Sequence, residues 1–522
     1  MDRDNNTHKL PVGWIWTALE AVSLPISRMN RSYQNQEDEF SYIDIEAIDN
    51  QKYKLKIPQI YKWGNAPSRA QQKLNVNDIL IAAVRPYLKN IALIPPHDVN
   101  YIASTGFCVI RPILIEPKYV YYFVLSQSFI DSINKKAKGT SYPAVSNKTI
   151  LSQSLALPPL KEQLRIVEKI EELFSELDHS EAGLEKAQKQ LIVYKQVLLK
   201  TAFDGELTKS WRQIYKDENY KWLKSKIEDI GVVKGGKRLP KGGRYSNIKT
   251  KFPYLRVSDF NKYSVNQYDL KYIDIETRKR IENYTISKDD VYISIAGTIG
   301  LTGIVPENLD NSNLTENAAK IVVNSNVNNK FLAYALNAPE LQSQIIEKTK
   351  ATSQPKLSLY SIRSLQTFIP ALDEQYRIVQ ILESRFTLIE NLDISINAGI
   401  KKIEVFRQTI LKKAFEGKLV RQYSSDESAN ILLTKIKKEK DTYLNLQKEV
   451  NKVKQKKDRT MDGNMTILEI LKQNDKPILA KELWQASKHK YDIESFYAEL
   501  KEIYSQIIEV KIDTESLLSL KK

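Results

Sequence analysis

The residues that first invite a chemical reading lie between 231 and 245. Gly231-Val232-Val233-Lys234-Gly235-Gly236-Lys237-Arg238 nearly spells a nucleotide phosphate loop. Such a loop needs a Ser or Thr after its lysine to bring a hydroxyl to Mg²⁺, and Arg238 cannot supply one. The stretch reads better as a basic loop. Lys234, Lys237, Arg238, Lys241 and Arg244 are interleaved with glycines and followed by Tyr245. Glycine lets a backbone approach phosphate, Arg can bridge two acceptors on a guanine edge, and Tyr can stack or hydrogen-bond. An exposed, solvated loop would have the same composition. Other chemistry is missing. Ile94-Pro95-Pro96-His97 and Leu157-Pro158-Pro159-Leu160 lack the amide or carboxylate that an amino-methyltransferase places before its prolines, and no nucleophile–His–acid set is visible. The lone Cys108 excludes a disulfide framework and a cysteine zinc site, and His8, His97, His179 and His489 have no ligand spacing.

Net charge is +16 over 522 residues, and most of it lies in two segments: +5 over 1–155 and +8 over 208–351, against −3 over 156–207. A basic globular surface is the footprint of a polyanion binder, although solubility alone also favours charge. Candidate DNA contacts in the first segment are Arg28, Arg31, Lys62, Arg69, Arg85, Tyr87 and Lys89. In the second they include Arg256 and Thr298 beside the glycine loop. Both segments end alike, in Lys138-Gly139-Thr140-Ser141-Tyr142-Pro143 and Lys350-Ala351-Thr352-Ser353-Gln354-Pro355. Lys138, Thr140, Ser141, Lys350, Thr352, Ser353 and Gln354 join the candidates. The shared Thr-Ser serves either phosphate contact or a turn. No stretch resembles a signal peptide or a membrane span, so a cytoplasmic protein is expected.

Positioning these residues falls to a repeated frame. Leu157 to Leu207 recurs at an offset of 212 as Ile369 to Leu419, with roughly a third of positions identical. Each copy opens on a proline and a Glu-Gln pair (Glu162-Gln163, Glu374-Gln375) and closes on Phe-Asp/Glu-Gly. Between them runs an apolar heptad. The first seam is Ile166, Ile170, Leu173, Leu177, Leu184, Leu191, Tyr194 and Leu198. The second is Ile378, Leu382, Ile389, Leu392, Ile396, Ile403, Phe406 and Ile410, with Arg385 intruding and Phe386 beside it to take its place. Neither helix can bury its stripe alone, so an antiparallel pair burying each other is expected. The globular segments echo each other at the same offset. Tyr42-Ile43-Asp44-Ile45 matches Tyr254-Leu255-Arg256-Val257, and Ile79-Leu80-Ile81 matches Val291-Tyr292-Ile293. Their middles diverge, as befits two modules of one fold that read different things. Tyr101–Ile110 reads as a further strand and Tyr119–Ile133 as a helix.

The expected fold class is therefore α+β. It comprises two pseudo-repeated α/β modules (1–155 and 208–365), two long antiparallel coiled-coil helices (156–207 and 366–423), and a C-terminal part. Residues 424–464 read as a solvated, Lys-rich helical linker rather than a DNA arm. Residues 465–522 read as three short helices and a strand, a small winged-helix-like domain that binds DNA or protein. Glu494, Glu499 and Glu502 on its third helix weaken the DNA option.

The duplicated Pro-Leu-x-Glu-Gln-x-Arg-Ile-Val openings, the Phe-Asp/Glu-Gly ends, the Thr-Ser-x-Pro turns and the twin basic modules resemble the specificity subunit of type I restriction–modification systems. The match spans about residues 10–423 and assigns nothing firm beyond them. The resemblance implies that each module is a target recognition domain reading one half of a bipartite double-stranded DNA target. It implies helices that dock two modification subunits, with two restriction subunits joining them, and no catalytic centre or cofactor on this chain. S-adenosylmethionine, ATP and Mg²⁺ would be used by the partners. The competing readings are a stand-alone DNA-binding regulator with a winged-helix output domain, and an enzyme of unfamiliar type.

Overall fold

The computed structural model describes residues 10–26, 28–29, 34–216, 220–349, 355–461, 465–474, 476–512 and 515–521, with side chains described for all of these but 450–461, 512 and 515. The chain divides into two compact units, one formed by Met1–Phe174 with Phe406–Lys522 and the other by Ser175–Val405.

Both units are built on the same two sheets. In the first unit, Ser23–Leu24, Phe107–Pro112, Ile79–Ala82 and Ile91–Leu93 form one sheet in that order, its strands antiparallel. Gln59–Lys62, Glu39–Ile43, Tyr101–Ser104 and Ala70–Lys73 form the other, whose central pair is parallel, Tyr101 opposite Ser41. The second unit repeats this. Gly231–Gly235, Ala318–Val323, Val291–Ser294 and Thr302–Ile304 make the first sheet. Lys271–Tyr272, Pro253–Leu255, Ser312–Leu314 and Thr285–Ile286 make the second, again with a parallel central pair, Tyr254 opposite Asn313. Ile79–Ala82 and Val291–Ser294 are buried along their whole length. A continuous apolar run suits a strand covered on both faces.

Three sequence expectations are corrected here. The strand at Tyr42 stops at Ile43, because the Asp44 carboxylate accepts the Ala47 N–H and caps a 3₁₀ turn. The single strand expected over Tyr101–Ile110 is two, parted by a turn at Thr105-Gly106. The helix over Tyr119–Ile133 is two, Pro117–Leu125 and Gln127–Lys135, because Ser126 is extended and caps the second. In the other unit Asn329–Asn337 and Pro339–Thr349 break at Ala338, where Pro339 cannot continue the backbone ladder.

Each long helix has 44 residues, Leu160–Phe203 and Leu372–Phe415. Each stops at a left-handed glycine, Gly205 at φ 80° and Gly417 at φ 69°. Within the second unit the helices run antiparallel. Leu184 lies against Gly399, Gln188 Nε2 donates to Asp393 Oδ1 at 2.9 Å, and the Lys195 amine sits 4.5 Å over the Phe386 ring. In the first unit Arg407 over Phe174, at 5.3 Å, keeps the same sense. The helices do not bury their stripes on each other alone. Ile166, Ile170, Leu411 and Ala414 are part of the first unit's core, while Leu198, Ile378, Leu382 and Ile389 are part of the second's. Ile403 is buried, and Leu173, Leu177, Leu184, Leu191, Ile396 and Ile410 are half-buried. Tyr194, Leu392 and Phe406 are corrections: they are 45%, 53% and 53% exposed. A helix of 3.6 residues per turn drifts about 20° per heptad away from a 3.5-residue stripe. Phe386 is buried while Arg385 is exposed, so Phe386 takes the intruder's place.

The expected solvated linker is also corrected. Helix Ala429–Met461 buries Ala429, Leu432 and Ile436 in the first unit's core, and the Lys440 amine donates to the Glu20 carbonyl. Its opening turns carry Ala429, Leu432 and Ile436 at spacings of 3 and 4, one helical stripe. After it come helices Ile467–Gln473, Ala480–Ala486 and Ile493–Glu502 around a three-stranded sheet. Their shared core includes Ile467, Leu483, Phe496 and Leu518. Two of its strands, Ile478–Leu479 and Glu515–Leu520, were not expected. Among the described residues, no helix is long and apolar enough to cross a membrane and no His/Cys/Asp/Glu group could hold a metal.

Candidate nucleic-acid interface

The repeated Glu-Gln pair sets the frame on which everything else hangs. Gln163 accepts the Glu116 N–H at 2.9 Å and donates to the Pro158 carbonyl at 2.9 Å. Gln375 accepts the Asn328 N–H at 2.8 Å and donates to the carbonyls of Pro370 and Asn326. Each glutamine thus ties the start of a long helix to the start of its module's helical pair. The glutamates behave differently. Glu374 accepts from Thr208 Oγ1 at 2.6 Å, Arg212 Nε at 3.0 Å and Trp222 Nε1 at 3.1 Å. Among the described residues Glu162 Oε1 and the indole N–H of Trp14 are buried without a hydrogen bond. Burial pushes the Glu162 carboxyl above its ordinary range, while the nearby Trp14, Arg165 and Gln422 oppose that rise.

On this frame three loops meet at one place in each unit. In the first, the Ala83 N–H donates to the Gly106 carbonyl and the Val145 N–H to the Ala83 carbonyl, at 3.0 and 2.9 Å. In the second, the Ile295 N–H donates to the Asn317 carbonyl and the Leu357 N–H to the Ile295 carbonyl, at 2.8 and 2.9 Å. The turn between two strands, the loop after the buried strand and the residue two places beyond Pro143 or Pro355 are therefore joined in the same order twice. Backbone pairing repeats, and side chains do not.

In the second unit the glycine loop adds a fourth wall. Gly236 N donates to the Ala318 carbonyl and Lys237 N to the Leu314 carbonyl, at 3.0 and 2.8 Å. A Cβ on Gly236 would collide with the carbonyl oxygens of Leu314 and Thr315. That glycine serves an internal crossing, not a phosphate approach; Gly242, at φ 82° with open space around it, remains the loop's free turn. The glycine loop, the 254–258 stretch and the 315–317 turn line a cleft of about 370 Å³, among them Arg238, Tyr245, Tyr254, Arg256, Glu316 and Asn317. Arg238 Nε donates to Glu316 Oε1 at 2.8 Å, with the arginine side chain 80% exposed. Burial acts against the Glu316 charge, but Arg238, its own backbone N–H and Thr315 hold its carboxyl below the usual range. Lys237 sits 5.4 Å over the Tyr284 ring, and Tyr254 OH donates to the Lys237 carbonyl at 2.7 Å. Lys234, Lys241, Arg244 and Tyr245 are exposed, as is Thr298 in the adjoining loop. Arg280 Nη1 donates to the Lys241 carbonyl at 3.3 Å and so pins the loop. Arg256 also lines the cleft. Its guanidinium donates to Asp259 at 3.1 and 2.7 Å and to the Asp269 carbonyl at 2.7 Å, so a local ion pair already engages it.

The first unit spreads its candidates over two groups. Arg28 bridges Gln72, and Arg69 precedes the same strand, its guanidinium beside Gly106. Both are exposed. Arg85 stacks 4.4 Å over Tyr142 and donates to the Ser141 carbonyl at 3.4 Å, so it braces the segment carrying Thr140 and Ser141. Lys138 closes that segment by pairing with Ala144. Tyr87 is 50% exposed and Lys89 half-buried on the same turn as Arg85. Lys62 stands apart in an exposed pair with Glu37 at 2.8 Å. Arg31, Lys350, Thr352, Ser353 and Gln354 lie outside the described residues. Sequence reasoning missed Glu316, Asn317, Tyr254 and Arg280. The one signal was the turn itself, where the offset slips by one residue between Gly106 and Asn317.

The model of a family described as the type I restriction modification DNA specificity domain matches residues 27–188 and 219–402. The EcoBI type I restriction enzyme specificity subunit of Escherichia coli is 28% identical over 351 residues, 62% of this chain and 72% of that one. The EcoKI specificity subunit of Escherichia coli (strain K12) is 23% identical over 463 residues, 83% of this chain and 96% of that one. A solved structure concerned with complex assembly and conformational transition of the type I R-M system has a chain with TM-score 0.65 and 26% identity, covering 79% of this chain and all, 100%, of that one. The HsdS subunit from Thermoanaerobacter tengcongensis has TM-score 0.50 and 27% identity, with coverage of 79% and 99%.

Proposed function

The chain belongs to the DNA specificity subunits of type I restriction–modification systems, and from that premise we propose that each unit reads one half of a bipartite DNA target through its three joined loops. The observation that carries this is the repeated backbone junction with unlike side chains: Gly106, Ala83 and Val145 in one unit, Asn317, Ile295 and Leu357 in the other. Phosphate contacts from the surrounding lysines give affinity, and base-edge contacts give sequence choice. The two long helices act as a coiled-coil spacer that fixes the gap between half-sites. Exposed Ile192, Val193, Tyr194 and Val197 on the first helix offer modification subunits an apolar docking strip. Catalysis, with S-adenosylmethionine on the modification subunits and ATP and Mg²⁺ on restriction subunits, belongs to those partners in the cytoplasm. Residues 465–521 form a winged-helix-like appendage. The family match lends no support to a stand-alone regulator.

Deleting the gene while the modification subunit remains expressed should abolish adenine methylation at one bipartite motif. Methylome sequencing that finds no lost motif overturns the proposal.

A further inference from the structure

Glu316 is the residue that the cleft should not contain. The adjoining loop carries Lys234, Lys237, Arg238, Lys241 and Arg244, and a carboxylate facing a polyanion repels it. The fold does not demand an acid here, because the corresponding turn in the first unit closes with Thr105-Gly106 and an arginine, Arg69, beside it. On the major-groove edges of DNA the hydrogen-bond donors are the exocyclic amino groups of cytosine and adenine, which a carboxylate accepts. Arg238 completes the pattern. Only its Nε is engaged by Glu316, at 2.8 Å, and among the described residues its terminal nitrogens have no hydrogen-bond partner. Those nitrogens match the O6 and N7 acceptors of guanine. Successive bases on a strand are about 3.4 Å apart, so two side chains in direct contact reach the same or the next base pair.

We infer that Arg238 and Glu316 are a coupled specificity pair, Arg238 reading a guanine and Glu316 the amino group of a cytosine or adenine at the same or the next base pair of the second unit's half-site. This rests on the reading of that unit as a half-site reader. In the free chain each holds the other in place; on DNA each exchanges that contact for a base edge, and Tyr245 at the rim, 41% exposed, covers the step.

The test expresses full-length Arg238→Ala and Glu316→Ala separately with the modification subunit, and reads both the methylome and the selection of a randomised half-site library by the purified complex. Discrimination should fall about 10- to 100-fold at guanine for Arg238→Ala and at the amino-bearing base for Glu316→Ala. The other half-site and the gap should be unchanged. The base preferred by the parent separates cytosine from adenine. A parental motif retained by both variants in both readouts overturns the pair. A Glu316→Ala profile that loosens only the guanine makes Glu316 a positioning residue for Arg238 and overturns its reading role. A parent complex without any bipartite motif would instead overturn the half-site reading itself.

Discussion

Two glutamates in equivalent places have opposite energetics. Glu374 is fully buried and pairs with Arg212, Thr208 and Trp222. Removing it leaves the mostly buried Arg212 charge without its carboxylate, so Glu374→Ala should cost about 3–5 kcal/mol in denaturant unfolding of the full chain. Glu162 has one carboxylate oxygen buried without a hydrogen bond among the described residues, and burial outweighs the pull of Trp14, Arg165 and Gln422 to raise its carboxyl. The sign follows from linkage. A carboxyl whose folded pKa is raised favours the folded state while protonated, so its contribution is complete below the ordinary value of 4.5 and is lost as pH rises through the raised value. Glu162→Gln, which stays neutral, should therefore cost no more than about 1 kcal/mol at neutral pH. It should also remove part of the parent's loss of stability as pH rises above the ordinary carboxylate value of 4.5. A Glu162→Gln loss as large as that of Glu374→Ala would mean that the two latches are equivalent after all.

The long helices carry the next prediction. Gln188 with Asp393 and Leu184 with Gly399 fix their mutual register in the second unit. Adding one heptad to both helices at facing positions, after Ser180 and after Lys401, preserves that register and lengthens each by about 10 Å at 1.5 Å per residue. The gap between half-sites should grow, by at most about 3 base pairs at 3.4 Å each, while both half-sites keep their sequence. An altered half-site in the methylome would mean that the helices do more than measure distance. These elements were legible because a sustained apolar period and a repeated Glu-Gln survive without any tertiary knowledge. The same holds for Ile79–Ala82, where four apolar residues in a row specify a covered strand. The break at Ser126 was not legible, since a helix cap competes with an apolar period that continues straight through it. Glu316 was hidden for another reason: its importance comes from Arg238, 78 positions away, and from a turn shared with Gly106. The glycines of the same loop misled in the other direction, because Gly236 answers to the neighbouring backbone rather than to a ligand.

At the scale of the whole chain, the family match ends at residue 402, yet the structure does not stop being necessary there. Ala429, Leu432 and Ile436 are 0%, 4% and 0% exposed inside the first unit's core, together with Leu411 and Ala414 from the second long helix. Asp426 supports the same junction by accepting from Arg165 at 2.6 Å. The helices and sheet after Met465 instead close around their own core. These observations divide the C-terminal part into a piece that completes a reading module and a piece that is appended to it. Ending the chain after 464 should leave unfolding of the first unit and the methylated motif as they are. Ending it after 423 removes two large buried aliphatic side chains, each worth about 2–5 kcal/mol in a core. Such a chain should lose roughly 4 kcal/mol or more of stability in denaturant unfolding. If the shorter truncation alters the motif, the appended domain takes part in reading DNA. If the longer one unfolds at the parent's midpoint, the helix from Ala429 lies on the module without holding it together.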